Sequence, residues 1–343
     1  MVLTTACTAY GGASLTGLGH IPGDFVHSNG YGVSGDGSVV VGTSASSTTR
    51  HAFRWTRAGG MVSIGDGIAL DANDDGSVIV GSARWTSTGA SEPGGYGVSG
   101  DGSVVVGSRI SASGLEAFRW TSTGGMVGLS DLPGGEFESY AFDVSRDGAV
   151  VVGTGTSASG REAFRWTSAG GMLGLGVLPG HTLSRAFAAS GDGSVVVGGS
   201  GNSTSEEIAF RWTSTGGMVG LGALPGYSQS VARGVNGDGS VIVGTCQNGV
   251  LADTFYWTSD GGMQRLWDIL VANGVDPAAD GWRREFFGTN GDVLDMDVSL
   301  DGTVIVGTGM RNGMVEAFAA VIPEPASLSL LGVSGLALLR RRR

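Results

Sequence analysis

The chain contains no lysine in 343 residues, only two cysteines and four histidines, and charged residues make up just 15% of it. Cys7 and Cys246 are too few for a disulfide framework, and they argue against a metal site of thiolates. His20, His27, His51 and His181 show no zinc-ligand spacing with one another. Net charge is −11, or −15 without the four terminal arginines, which argues against nucleic acid and other polyanions as partners. Outside the C-terminal tail no apolar run is long enough to span a membrane. A 3.6-residue apolar period sustained along the repeats, as in helical or leucine-rich solenoids, is also missing.

What is abundant is glycine, 65 residues, arranged in repeats. The string Asp-Gly-x-Val-x-Val-Gly, with Ile sometimes replacing Val, starts at Asp36, Asp75, Asp101, Asp147, Asp192, Asp238 and Asp301. Residues 31–42 and 96–107 are identical, the mark of recent duplication. A complete unit, residues 140–184, holds four short segments rich in β-branched and aromatic residues, separated by Ser, Asp, Gly and Pro. The Ser-Gly-Asp-Gly joint between the first two segments is tight-turn chemistry. Four strands per unit of about 45 residues predicts an all-β fold, a β-propeller.

Seven motifs predict seven blades, one of them shortened. Residues 14–23 match a fourth strand yet precede any first strand, whereas the last unit stops after its third, Glu316-Ala317-Phe318-Ala319-Ala320. Joined, they complete one blade and remove an exposed sheet edge. The second unit, residues 67–95, keeps Arg84-Trp85-Thr86 but lacks a Gly-Met-Val-Gly strand, so it is expected either to be three-stranded or to leave six regular blades. In the long sixth unit Met263, Leu266, Trp267, Ile269 and Leu270 recur at helical spacing before Gly274, predicting a short rim helix. The segment that follows carries Trp282, Arg283, Arg284, Phe286 and Phe287, an expected exposed aromatic and arginine contact patch.

Phe-x-Trp pairs such as Phe53/Trp55 and Phe164/Trp166 share one strand face and suit a core between blades better than a ring of sugar-stacking aromatics. Arg54, Arg119, Arg165 and Arg211 point to the opposite face, with the turn aspartates as expected partners. Two acidic clusters invite a calcium reading: Asp71, Asp74 and Asp75, and then Asp292, Asp295 and Asp297. The first lacks the spaced final Glu of an EF-hand loop, and turn chemistry is preferred, so no metal or other cofactor is assigned. A Gly-x-Ser here lacks the strand–turn–helix context of a nucleophile elbow, and no catalytic constellation emerges. His51-Ala52-Phe53-Arg54-Trp55, together with the Gly-Met-Val and Asp-Gly-Ser-Val strands, resembles the HAF-type extracellular repeats of bacteria over roughly residues 14–320. That resemblance implies secretion and a surface role, and supplies no catalytic residue.

The tail reads Pro323-Glu324-Pro325, an apolar run to Leu339, then Arg340, Arg341, Arg342 and Arg343. It resembles the PEP-CTERM sorting signal of Gram-negative surface proteins. From Ala326 to Leu339 a helix would extend about 21 Å against a hydrocarbon core of about 30 Å, with serines and glycines diluting it. Such a segment suits sorting better than lifelong anchoring, and the arginines keep its end cytoplasmic. The domain reading is therefore a truncated signal remnant at 1–13, the propeller at 14–322 and the sorting signal at 323–343. The resemblance implies an exosortase as processing partner, transient membrane contact through the tail, and association with exopolysaccharide. Three function classes stand: a structural or adhesive surface protein, a lectin-like propeller using rim residues around Trp282 and Tyr227, and, least favoured, a glycoside hydrolase.

Overall fold

Each Asp-Gly motif becomes a tight turn, and the valines after it become the second strand of a four-stranded antiparallel meander. The computed structural model describes residues 12–91, 93–203, 206–249, 251–284 and 296–323. Within them lie seven sheets, six of four strands and the last of five. The fourth is typical: Tyr140–Val144, Val150–Ser157, Gly160–Thr167 and Gly171–Gly174 pair in chain order. First strands of successive sheets touch one another around a complete circle, so the sheets are the blades of a seven-bladed propeller.

The turn chemistry is local and repetitive. In the first blade Gly37 takes φ +72°, and its N–H donates to the Ser34 carbonyl. Asp36 Oδ1 accepts from Ser34 Oγ at 2.6 Å and from Ser38 N at 2.9 Å, while Ser34 Oγ accepts from Val39 N. These bonds occupy the turn carboxylate within its own loop.

The final glycine of the motif has a steric role. Gly153 pairs with Phe164 across the second and third strands, and the same pairing joins Gly42 to Phe53, Gly198 to Phe210 and Gly244 to Phe255. A Cβ on Gly153 would meet the Tyr140 carbonyl oxygen and the Phe164 ring. The phenyl ring therefore lies over bare backbone, and Phe53, Phe164, Phe210, Phe255 and Phe318 are fully buried. The Phe-x-Trp faces are core between blades, as expected; Trp55, Trp166 and Trp212 close that core half-buried.

Closure follows the split blade. Ser14–Gly17 pairs antiparallel with the third strand of the last blade, Leu15 opposite Ala320 and Gly17 opposite Phe318. Leu18 N–H extends the ladder to the Ala317 carbonyl at 2.9 Å. The second unit is neither three-stranded nor lost from the ring. Arg84–Thr86 and a short Gly89–Ser91 complete four strands, with Trp85 buried beneath. Ala83 stands where other blades carry the core phenylalanine, and the blade is correspondingly small.

The predicted rim helix runs Leu266–Ala272. Met263 belongs instead to the strand Gly262–Arg265 before it. Gly274 at φ +84° sends its N–H to Val271 O while Val275 N–H reaches Leu270 O, the two bonds of a Schellman stop. Trp282 departs from its expected exposure. Trp282–Arg283 forms a short strand against the seventh blade, and the indole is 4% exposed. It meets Phe318 edge-on at 5.9 Å and packs in one cluster with Leu266, Trp267 and Leu270, because the helix covers a large apolar area that would otherwise face water. Arg283 and Arg284 are exposed; Phe286 and Phe287 lie outside the described residues. So do Glu324, Pro325, the apolar run and Arg340–Arg343, and among the described residues no helix is long and apolar enough to cross a membrane.

Two outcomes follow. Removing residues 1–23 is expected to broaden and lower the thermal unfolding transition, since it re-exposes the edge of the seventh blade; an unchanged transition would contradict strand closure. Phe164→Ala is expected to cost about 3–5 kcal/mol in urea unfolding, the range for emptying a buried aromatic site.

Candidate functional site

The axis is where the blades stop being alike. Between Gly30 and Gly32, Ala69 and Asp71, Ala141 and Asp143, Ala186 and Ala188, and Ala232 and Gly234, the first strand bulges against the second. Bulges re-aim side chains, and the residues at these positions line the axial channel. They are Tyr31, Leu70, Phe142, Phe187 and Arg233, joined by Tyr96 of the third blade and Met296 of the seventh. Phe142 is the centre of the aromatic arc, 5.9 Å from Tyr96, 5.5 Å from Phe187 and stacked on Tyr140 at 5.9 Å. Arg233 lies over the Phe187 ring at 4.4 Å. Together they enclose a cavity of about 80 Å³.

The next residue along each first strand forms a ring of its own: Gly32, Asp71, Gly97, Asp143, Ala188, Gly234 and Asp297. Each aspartate pins the following blade. Asp71 accepts from Val98 N at 2.8 Å, Asp143 from Ala189 N at 2.9 Å and Asp297 from Val33 N at 3.0 Å, while the second oxygen accepts from the next residue of its own strand. The glycines are what make room: a Cβ on Gly97 would sit 2.9 Å from Asp143 Cα, and one on Gly32 would meet the Leu70 carbonyl oxygen at 2.6 Å.

Burial and mutual repulsion raise these acids. Desolvation lifts Asp143 to about 7, with Asp297 adding to it, and lifts Asp297 to about 6. Asp71 is raised well above the usual carboxylate range, by burial first and then by Asp143 and Asp297. Turn aspartates go the other way: Ser103 and Ser99 hold Asp101 low, and Ser194 and Ser190 hold Asp192 low.

Beyond the carboxylates the channel meets the Ser-x-Asp-Gly turns. Backbone bonds link turn to turn there: Leu300 N to Gly35 O, Asp36 N to Asp74 O, Asp74 N to Gly100 O and Gly100 N to Arg146 O. Arg146 pairs with Asp74 at 2.7 Å, and with Leu300 these side chains line the narrow second cavity of about 100 Å³. The aromatic end and the turn end are therefore different mouths.

The acidic clusters weighed for calcium are taken apart by the fold. Asp71 faces the channel, Asp74 holds Arg146, and Asp75 accepts from Ser77 N in its own turn at 2.9 Å. Asp297 joins the channel, and Asp292 and Asp295 lie outside the described residues. Among the described residues no group of three or more His, Cys, Asp or Glu side chains could hold a metal ion. The strand arginines also differ from expectation. Arg119 donates to the Gly148 carbonyl at 3.3 Å and Arg165 to the Gly193 carbonyl at 3.1 Å, because the turn carboxylates are already occupied. At the rim Tyr227 is half-buried under Arg265, with its hydroxyl 3.5 Å from the buried Asp253, so it offers no open platform. Cys246 is buried where other blades carry Ser44 and Ser200, accepts from Leu224 N, and has its thiol pushed up to about 12 by desolvation, which makes it a packing group.

The channel residues carry no sequence motif, and of them only Asp71 and Asp297 stand out in the sequence, as members of acidic clusters. One signal does mark them: within nearly uniform units, Tyr-Gly-Val, Leu-Asp-Ala, Phe-Asp-Val, Phe-Ala-Ala, Arg-Gly-Val and Met-Asp-Val occupy the same place.

No family model matches the chain, and no curated protein matches it. Among solved structures it is similar to an oligogalacturonate lyase in complex with manganese, at TM-score 0.60 and 14% identity, covering 92% of this chain and 96% of that one. Oligogalacturonate lyase from Vibrio parahaemolyticus follows at 0.57 and 13%, covering 91% and 94%. Hydrazine synthase of Kuenenia stuttgartiensis gives 0.53 and 10%, covering 87% and 97%. At such identities the likeness is one of fold, the propeller, and carries no activity with it.

The channel acids imply a pH dependence. Their folded pKa values lie above the unfolded value of about 3.9, so their contribution is fully present below about pH 4 and is lost as pH rises through 6 to 7. The lowered turn acids lose their contribution as pH falls below about 4. The thermal midpoint is expected to peak near pH 4 to 5 and to decline by pH 8, more shallowly in Asp143→Asn. Calorimetry across that range checks it, and a midpoint rising from pH 5 to 8 would refute it.

Proposed function

We propose that the chain is an exported cell-surface or matrix protein that binds and scaffolds rather than catalyses, sorted by an exosortase through Pro323-Glu324-Pro325 and the arginine tail. The observation that carries the binding reading is the concentration of blade-to-blade variation at the axial mouth. Elsewhere many of the polar residues that repeat have structural partners: turn carboxylates their own loops, Arg119 and Arg165 the next blade's carbonyls, Ser139 and Ser184 the Ala117 and Ala163 N–H groups. A general acid and base need separate, unlike environments. Here the three unusual carboxylates share one environment and are each tied to two backbone N–H groups. The sorting part rests on the resemblance of the tail and of the repeats, and exopolysaccharide is the partner that resemblance implies.

A second reading, a lectin-like propeller, moves from the rim to the axis. Trp282 is buried, so it is withdrawn as a stacking residue, whereas Tyr96 and Phe142 are half-buried at the channel.

Intact-mass measurement of protein extracted from the native envelope is expected to show a species lacking Arg340–Arg343, cut at or just after the Pro-Glu-Pro motif. Tyr96→Ala with Phe142→Ala is expected to weaken retention in the matrix while the circular dichroism of the sheet is kept. A mature species with all four arginines would end the sorting reading, and measurable glycoside turnover by purified protein would end the non-catalytic one.

A further inference from the structure

The aromatic cup and the carboxylates beneath it form one compartment with a definite chemistry. It is lined by Tyr31, Tyr96, Phe142 and Phe187, the last with Arg185 and Arg233 over its ring, and by Asp71, Asp143 and Asp297. Each carboxylate oxygen accepts one backbone N–H, which leaves a second lone pair on each. Aromatic faces attract cations through their quadrupoles, most strongly when water is excluded. The cavity, about 80 Å³, is small and has room for an aminomethyl end.

We propose that this axial cup binds a primary ammonium group, with the aromatic arc around its methylene stem and its N–H donors toward the carboxylates of the second, fourth and seventh blades. The charged groups around it are consistent with that polarity. Arg233 stands on the sixth blade over Phe187, beside the seventh blade that carries Asp297 and across the ring from Asp71 and Tyr96, so the cup is most negative around Asp71 and Asp143. On the fifth blade Arg185 is neutralised by a two-pronged contact with the buried Glu207. Behind the carboxylates Arg146 is neutralised by Asp74. Among the described residues of the cup the carboxylates outnumber the arginine. Their mutual repulsion, which helps hold Asp143 up to about 7, is the strain that a bound cation relieves. The chain itself carries no lysine that could fill the cup from within.

An ammonium group of this size can arrive on an amino sugar of a polysaccharide or on a lysine side chain of a protein partner. The proposal rests on reading the channel as a binding site, and is independent of the sorting of the tail. Binding by protein that is not retained in the envelope would sink the surface reading alone, and retention without binding would sink this one alone.

The test is titration calorimetry on the full chain with methylammonium, putrescine, glucosamine and a lysine-containing peptide, each beside its N-acetylated counterpart. Expected is saturable binding of the free amines and none of the acetylated forms, tightening roughly tenfold or more from about pH 5.5 to about pH 8 as the carboxylates ionise, with protons released on binding. Preference for glucosamine assigns the source to an amino sugar, and preference for the peptide assigns it to protein lysine. Asp143→Asn is expected to weaken binding about tenfold and Arg283→Ala, on the exposed rim, to leave it unchanged. Absence of binding by every amine, equal binding of acetylated forms, or affinity indifferent to pH in the unmodified protein would overturn the proposal, whether or not the variant folds.

Discussion

A phenyl ring laid on a glycine is the contact on which each full blade depends. Second-strand glycine and third-strand phenylalanine face each other in Gly42/Phe53, Gly107/Phe118, Gly153/Phe164, Gly198/Phe210, Gly244/Phe255 and Gly307/Phe318. The ring covers backbone that would otherwise be bare, and the missing side chain lets the first strand approach as well. Where the phenylalanine is absent, at Ala83, the strands on either side shrink to Ile79–Gly81 and Arg84–Thr86. The exception shows what the pair contributes to its neighbours.

Packing within a blade does not by itself hold blades together. That task falls to bonds reaching across each gap at several radii. Near the axis the channel carboxylates take the next blade's N–H groups, and turn-to-turn backbone bonds circle the far mouth. Farther out, Ser139 and Ser184 accept from Ala117 and Ala163 of the preceding blade and donate to the Ser130 and Gly176 carbonyls. Carboxylates and glycines nearly alternate around the axis because seven side chains would not fit at that radius. Three acids thereby come to share one narrow space, which raises their pKa values and gives the channel its charge.

A scaffold built this way separates stability from variation. Residues that close turns and bridge blades must recur, whereas the bulged first-strand residue points into a space shared by all blades and is free to differ. Aromatic residues collect on the first and on the third to fifth blades, and an arginine on the sixth. Identical units thus generate an asymmetric mouth without any change in architecture.

The sequence by itself determined the four-strand unit, the divided last blade and the helix stop at Gly274, because each is written in local spacing or turn chemistry, whereas the shortened second unit left the choice between six and seven blades to the structure. It also placed the Phe-x-Trp face in the core, since period-two alternation fixes which residues share a face. Only the tertiary structure decided the fate of Trp282, which the local pattern left at the rim and the helix buried against Phe318. Only the tertiary structure, likewise, separated Asp71, Asp74 and Asp75, neighbours in the chain that face the channel, an arginine and a turn. And only ring closure joined Asp71, Asp143 and Asp297, which local spacing cannot relate, because their meeting depends on seven first strands converging on one axis.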